Sequence, residues 1–132
     1  MNFLTDPLKN YDDFNKVIKS IGADRTPVLM HGTVDGQVSH LAYSLLKYKE
    51  EPLIVIAKDN LKSRKIYDDL ISLKQKGVSL YTDRNIMLYD RYFKSLDNIK
   101  IRLKTMDSIL QKNTKILLTT IDALSDKISA KD

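Results

Sequence analysis

The residues best placed for chemistry lie between Pro27 and Leu41. Val28-Leu29-Met30 is a short apolar run, and Gly32-Thr33-Val34-Asp35-Gly36 is a glycine-punctuated turn. From Gln37-Val38-Ser39 onward the pattern is that of a helix. Strand, glycine turn and helix make the layout of a phosphate-binding loop. A working loop reads G-x-x-x-x-G-K-[ST], with backbone amides around the phosphates, a lysine on their charge and a hydroxyl on Mg²⁺. Aligned on Gly32, the second glycine becomes Gln37, the lysine Val38 and the hydroxyl Ser39. Gly36 falls one place early, and Asp35 brings a negative charge to where phosphates would approach. The expectation is a degenerate loop (Gly32, Gly36, Gln37, Val38, Ser39) that holds no nucleotide and catalyses nothing. Phosphoryl transfer needs charge neutralisation that a valine cannot supply. A helix N-terminus still offers free amides, so weak anion binding stays open.

Other chemistry is thinner. His31 and His40 are the only histidines, and cysteine is absent, so there are no disulfides and no thiolate metal sites. Asp68-Asp69 reads as a helix surface pair and Asp12-Asp13 as capping residues. Ser39, Ser44 and Ser63 lack the G-x-S-x-G elbow of a hydrolase. No catalytic residue, metal ligand or cofactor is expected in this chain. Tyr81, Tyr89, Tyr92 and Phe93 interleave with Arg84, Arg91 and Lys94, a mixture that either packs a loop or stacks on nucleic acid. The formal net charge is +5, with basic residues spread among acids. That is ordinarily a solvated surface, with nucleic-acid contact through Lys62, Arg64, Lys65, Arg91, Lys94, Lys100 and Lys104 as the alternative.

The elements that must position the turn follow from periodicity. Of the 132 residues, 42% are hydrophobic and 30% charged, the balance of one soluble domain. No run approaches the length of a membrane span, and no signal peptide is evident. Phe14, Val17, Ile18 and Ile21 predict a first helix, capped by Asp12 or Asp13 and ended by Gly22. Val28-Leu29-Met30 predicts a strand covered on both faces. Val38, Leu41, Ala42, Leu45 and Leu46 predict a helix stopped by Pro52, and Leu53–Ala57 a buried strand. Asp59 or Asn60 starts a helix with Ile66, Tyr67, Leu70, Ile71 and Leu73 inward, closed by Gly77. Val78–Tyr81 is a third strand, and residues 82–94 a loop pinned by Met87, Leu88, Tyr89 and Phe93. Ser95 caps a helix facing inward through Leu96, Ile99, Leu103, Met106, Ile109 and Leu110, ended by Asn113. Lys115–Thr119 is a fourth strand, followed by a short helix from Asp122.

Strands alternating with helices predict an α/β fold, three-layer αβα, with a mainly parallel sheet. A single domain spans 1–132, with an N-terminal arm at 1–10 and a frayed tail at 126–132. The abrupt end after a strand and a helix start suits a piece of a longer protein.

Four stretches carry a family resemblance: the strand and empty phosphate turn, Leu80–Asp90, Ile99–Met106 and Lys115–Leu124. Together they resemble the extreme N-terminus of bacterial transcription-repair coupling factors (Mfd), a region similar to the first domain of the excinuclease subunit UvrB. The resemblance runs from about Leu8 to Leu124. Its most specific parts are Leu88-Tyr89-Asp90, similar to the family's Pro-Tyr-Asp, and Arg102-Leu103. Leu88 in place of proline and Asp35 in the glycine turn depart from the pattern. The resemblance implies a P-loop NTPase or helicase-like fold with a degenerate nucleotide loop, in the bacterial cytoplasm. It implies that the ATP- and Mg²⁺-dependent DNA translocase motor and the RNA polymerase module lie outside this chain. UvrA recruitment would fall mainly to the domain that follows. The implied role is a non-catalytic lobe of the UvrB-homology module that supports UvrA recruitment and the resting closed state in transcription-coupled nucleotide excision repair. A nucleic-acid-binding or weak nucleotide-binding module is the alternative.

Overall fold

The computed structural model describes residues 10–49, 51–83 and 93–126. Among them the chain runs α1 (Asp12–Gly22), α2 (Asp35–Lys49), β1 (Leu53–Ala57), α3 (Asn60–Ser72), β2 (Val78–Leu80), α4 (Phe93–Leu110), β3 (Ile116–Thr120) and α5 (Ile121–Ser125). The strands form one parallel sheet in the order β1-β3-β2. Leu53 pairs with Ile116 and Ala57 with Thr120, while Val78 pairs with Ile116 on the other side. The parallel α/β architecture expected from alternation is therefore present.

The two crossovers run in opposite directions: β1 to β2 passes over β3, and β2 to β3 steps back. Right-handed connections then place α3 on one face and α4 on the other. The α3 face holds the core. Tyr43 and Leu46 from α2, Ile66 and Leu70 from α3, and Ala57, Leu80, Ile116 and Leu118 from the sheet form one buried cluster. Leu70, Ile116 and Leu118 are wholly inaccessible, and each such side chain stabilises the fold by about 1.5–3 kcal/mol. Strand parity explains the membership, because paired residues 53/116, 55/118 and 57/120 point to the same side.

Local chemistry sets the helix ends. Asp59 caps α3, its carboxylate accepting from the Lys62 N–H at 2.8 Å. Thr120 caps α5 by accepting from the Ala123 N–H at 3.2 Å. The helix α1 keeps its expected inward residues, with Val17 and Ile18 buried. Its capping differs from expectation: Tyr11 is the N-cap without a side-chain bond, and Asp12 and Asp13 lie in the first turn. There they favour the helix through its dipole. Lys16 donates to Asp13 at 2.8 Å and holds that carboxyl below the usual carboxylate range. The pair is solvent-exposed, so it adds little stability.

Several expectations are corrected. Val28-Leu29-Met30 is not a buried strand. Residues 25–31 carry no regular structure, and Leu29 is 87% exposed. The sheet gives these residues no ladder among the described residues, and an apolar run without a ladder stays a connector. Gly22 is the last residue of α1, but the positive φ falls on Asp24. Gly77 does not close α3, which ends at Ser72 with Leu73 as C-cap. Ile71 is exposed rather than inward. The fourth helix begins at Phe93, before Ser95. Ile99, Leu103, Ile109 and Leu110 face solvent, while Arg102 and Thr105 are buried. The reason is that the inner side of α4 bonds to the end of β2 rather than burying an apolar stripe. The fourth strand is shifted by one residue, to Ile116–Thr120, and the last helix starts at Ile121. Met87, Leu88 and Tyr89, with Arg84, Arg91 and Tyr92, lie outside the described residues. So do the arm up to residue 9 and the tail from 127.

Candidate functional site

Three places gather polar side chains: the glycine turn, the exit of β2, and a cavity beside β2.

At the turn, Gly32 has φ +79°, the left-handed backbone that glycine takes without penalty. Gly36 sits inside the first turn of α2 with open space where a Cβ would stand. Its glycine character therefore serves neither a turn nor a close approach. Gln37 does the reverse of what the second glycine of a phosphate loop does. Its side-chain oxygen accepts from the Val34 N–H at 3.0 Å, and its own N–H donates to the Val34 carbonyl at 3.0 Å. This is half of a capping box, with the residue in the third helical position reaching back to the cap. One of the amides at this N-terminus is thereby occupied by the chain itself.

The next two positions turn inward. Val38 packs against the core cluster, half-buried. Ser39 is buried, and its hydroxyl donates to Asp69 Oδ2 at 2.8 Å. The hydroxyl that would hold Mg²⁺ in an active loop instead ties α2 to α3. Of the five residues expected at a degenerate loop, Gly32 alone has the backbone such a turn needs. Gln37, Val38 and Ser39 have structural partners. His31 is exposed and His40 half-buried at the start of α2. No group of three or more metal-ligating side chains occurs among the described residues. No described helix is long and apolar enough to cross a membrane.

The exit of β2 is organised by Arg102, which is buried. Its guanidinium donates to the Thr82 carbonyl, to Asp126 Oδ2 at 2.9 Å and to the Tyr81 hydroxyl at 2.6 Å. It also lies over the Tyr81 ring, 4.3 Å from the centroid. One helical turn on, Thr105 donates to the Leu80 carbonyl at 2.7 Å. Together they join α4 to the end of β2 and to the residue after α5. Sequence reasoning singled out Arg102 only through resemblance. The local signal was an arginine flanked by Ile101 and Leu103 on a helix, where burial demands a full set of acceptors. Tyr81, one of the aromatic residues that could either pack a loop or stack on nucleic acid, is buried in this arrangement.

The third place is a cavity of about 350 Å³ at the outer edge of β2. Arg64 and Tyr67 of α3 line one side, and Ile101, Lys104, Thr105 and Ser108 of α4 the other. Ser79 forms its floor and lies 3.0 Å from Thr114 Oγ1, which donates to Ser108 Oγ at 3.0 Å. Of the basic residues named for the nucleic-acid alternative, Arg64 and Lys104 thus converge. Lys62, Lys65 and Lys100 do not line the cavity, and Arg91 lies outside the described residues.

No family model matches the chain, and neither a curated protein nor a solved structure is significantly similar to it.

Proposed function

We propose that this chain is a non-catalytic scaffold lobe, of the kind found in the UvrB-homology module of bacterial transcription-repair coupling factors. Its fold is then a P-loop or helicase-like α/β layer whose nucleotide loop has been converted to structure. The observation that carries this reading is the fate of three side chains at the turn. Gln37 caps α2, Val38 packs into the core and Ser39 bonds Asp69. Aligned on Gly32, they take the positions of the second glycine, the lysine and the Mg²⁺-binding hydroxyl of a working loop. The lobe therefore supports its neighbours mechanically: the domain that recruits UvrA, and the contacts that keep the resting protein closed. ATP, Mg²⁺, DNA and RNA polymerase are engaged by other parts of the parent protein, in the bacterial cytoplasm. The chain itself needs no cofactor and performs no reaction.

Calorimetric titration tests this. ATP with Mg²⁺ should give no heat and leave the melting temperature unchanged, whereas a ligand at 100 times its Kd adds about 2.7 kcal/mol. A UvrA-recruiting domain from a coupling factor, used as the titrant instead, should give heat. Micromolar ATP binding would recast the lobe as a nucleotide sensor, and silence with both titrants would remove the scaffold reading.

A second reading rests on the convergence of Arg64 and Lys104 beside Tyr67, a small basic and aromatic site suited to a nucleic-acid strand. Affinity of that kind falls steeply with salt. Fluorescence anisotropy with a single-stranded oligonucleotide decides it. The scaffold reading expects no binding even at low salt, and salt-sensitive binding lost in Arg64→Ala would favour the nucleic-acid module.

A further inference from the structure

The strand β1 ends the sheet on one side, and its outer edge has no ladder partner among the described residues. The Leu53 N–H bonds to the Lys115 carbonyl at 2.8 Å. Alternation along a parallel ladder then directs Leu53, Val55 and Ala57 toward β3, and the backbone groups of Ile54 and Ile56 toward the open edge. The side chains of Ile54 and Ile56 stand on the α4 side of the sheet. There α4 packs chiefly on β2, and they are 65% and 51% exposed. Two isoleucines at the centre of a strand, open to water beside amides that have no ladder partner among the described residues, make an exposed edge. Within Leu53–Ala57 there is no proline and no charged residue to block pairing.

We propose that this edge pairs with the same edge of a second copy of the chain, antiparallel, to make one continuous six-stranded sheet. The sequence Leu-Ile-Val-Ile-Ala is close to a palindrome about Val55. A two-fold axis through Val55 sets Ile54 opposite the second copy's Ile56, and Ile56 opposite its Ile54. Both are then hydrogen-bonded pairs, because the backbone groups of both residues already point outward. Val55 meets its own copy in the non-hydrogen-bonded position between them. Each narrow pair exchanges two bonds, giving four in all, and Pro52 has no N–H with which to extend the ladder. Residues directly opposite share a face, so the four isoleucines gather into one β-branched cluster, the pairing that stabilises antiparallel strands. A closed two-fold interface of this kind is self-complementary and stops at two copies.

The interface is small, and association belongs in the weak class. The net charge of +5 on each copy opposes it. Salt screens that repulsion, so dimerisation strengthens with ionic strength. That is the opposite of what phosphate binding would show. The proposal does not rest on the scaffold reading and holds or fails separately from it.

The absence of cysteine makes the register testable. Opposed residues at a non-hydrogen-bonded position have Cα atoms about 4.5 Å apart, within the roughly 4.4–6.8 Å that a disulfide spans. Val55→Cys should therefore give a disulfide-linked dimer under mild oxidation, with native circular dichroism. Ile54→Cys should not, since it meets its own copy only diagonally, at about 7–8 Å. In sedimentation equilibrium the unmodified chain should rise from one chain mass toward two with concentration up to about 0.5 mM, and further with added salt. Ile56→Lys should remain at one chain mass throughout. A single-chain mass at every concentration without Val55→Cys crosslinking would overturn the proposal. So would a dimer indifferent to Ile56→Lys, or crosslinking through Ile54→Cys in preference. Ile56 is half exposed, so Ile56→Lys folds and decides the matter even if Val55→Cys does not.

Discussion

Replacing Arg102 by alanine should remove about 3–5 kcal/mol of folding stability, the range for breaking a buried charged pair from one side. For a domain whose total stability is about 5–15 kcal/mol this is a large fraction. Three acceptors lose their donor together: the Thr82 carbonyl, the Tyr81 hydroxyl and Asp126 Oδ2. The first two are buried, and a buried polar group without its partner costs about 1–3 kcal/mol. The stacking of the guanidinium on Tyr81 is lost as well. Arg102→Lys should recover only part of the stability, because an ammonium lacks the planar fork and cannot both stack on the ring and reach three acceptors. Asp126→Asn should cost less than Arg102→Ala, since Asp126 is the more exposed partner. Urea denaturation of the three variants measures this. An Arg102→Ala midpoint equal to that of the unsubstituted chain would mean that the hub does not hold α4 to the sheet.

Gly77→Ala should cost about 2–4 kcal/mol, from a left-handed backbone worth about 1–2 for any L side chain and a steric conflict added to it. Gly77 has φ +75°, and a Cβ there would stand 2.8 Å from the Asn113 carbonyl and 2.9 Å from Lys115 Cγ. Its own carbonyl accepts from the Lys115 N–H at 2.7 Å and the Ile116 N–H at 3.0 Å. Any shift that relieves the clash therefore opens the start of the β2–β3 ladder. Gly36→Ala is the control with the opposite sign. Gly36 is helical with open space around it, so alanine should raise stability by about 0.5–1 kcal/mol. Thermal melts of both variants check the pair. Equal shifts would show that neither position is set by backbone geometry.

The helices α1, α2 and α3 were legible because their apolar spacing reports the side that meets the core, whereas β1 was legible as a strand but not as a buried one, since Ile54 and Ile56 on its other face are exposed. Val17, Ile18, Leu46, Ile66 and Leu70 were expected inward and are buried. The helix α4 was misread for a physical reason. Its inner side carries Arg102 and Thr105, which are buried by satisfying carbonyls at the end of β2. A pattern of apolar residues does not register burial of that kind. Its apolar residues Ile99, Leu103 and Leu110 lie on the solvent side. The run Val28-Leu29-Met30 failed for another reason. Apolar content marks a candidate strand, but a strand exists only where a neighbour supplies its ladder.

The sequence by itself determined the class of fold, since alternating strand and helix periods permit few arrangements other than a parallel sheet. It also determined that the glycine turn lacks a lysine, which is a matter of residue identity. Only the tertiary structure decided what the side chains after the turn do instead. Gln37 turns back to its own helix terminus, and Ser39 reaches thirty residues along the chain to Asp69. The same holds for Arg102, whose partners lie twenty to twenty-four residues away on either side. Spacing along the chain reports which face a residue occupies. A buried polar group is decided by its partners, and packing alone brings those within reach.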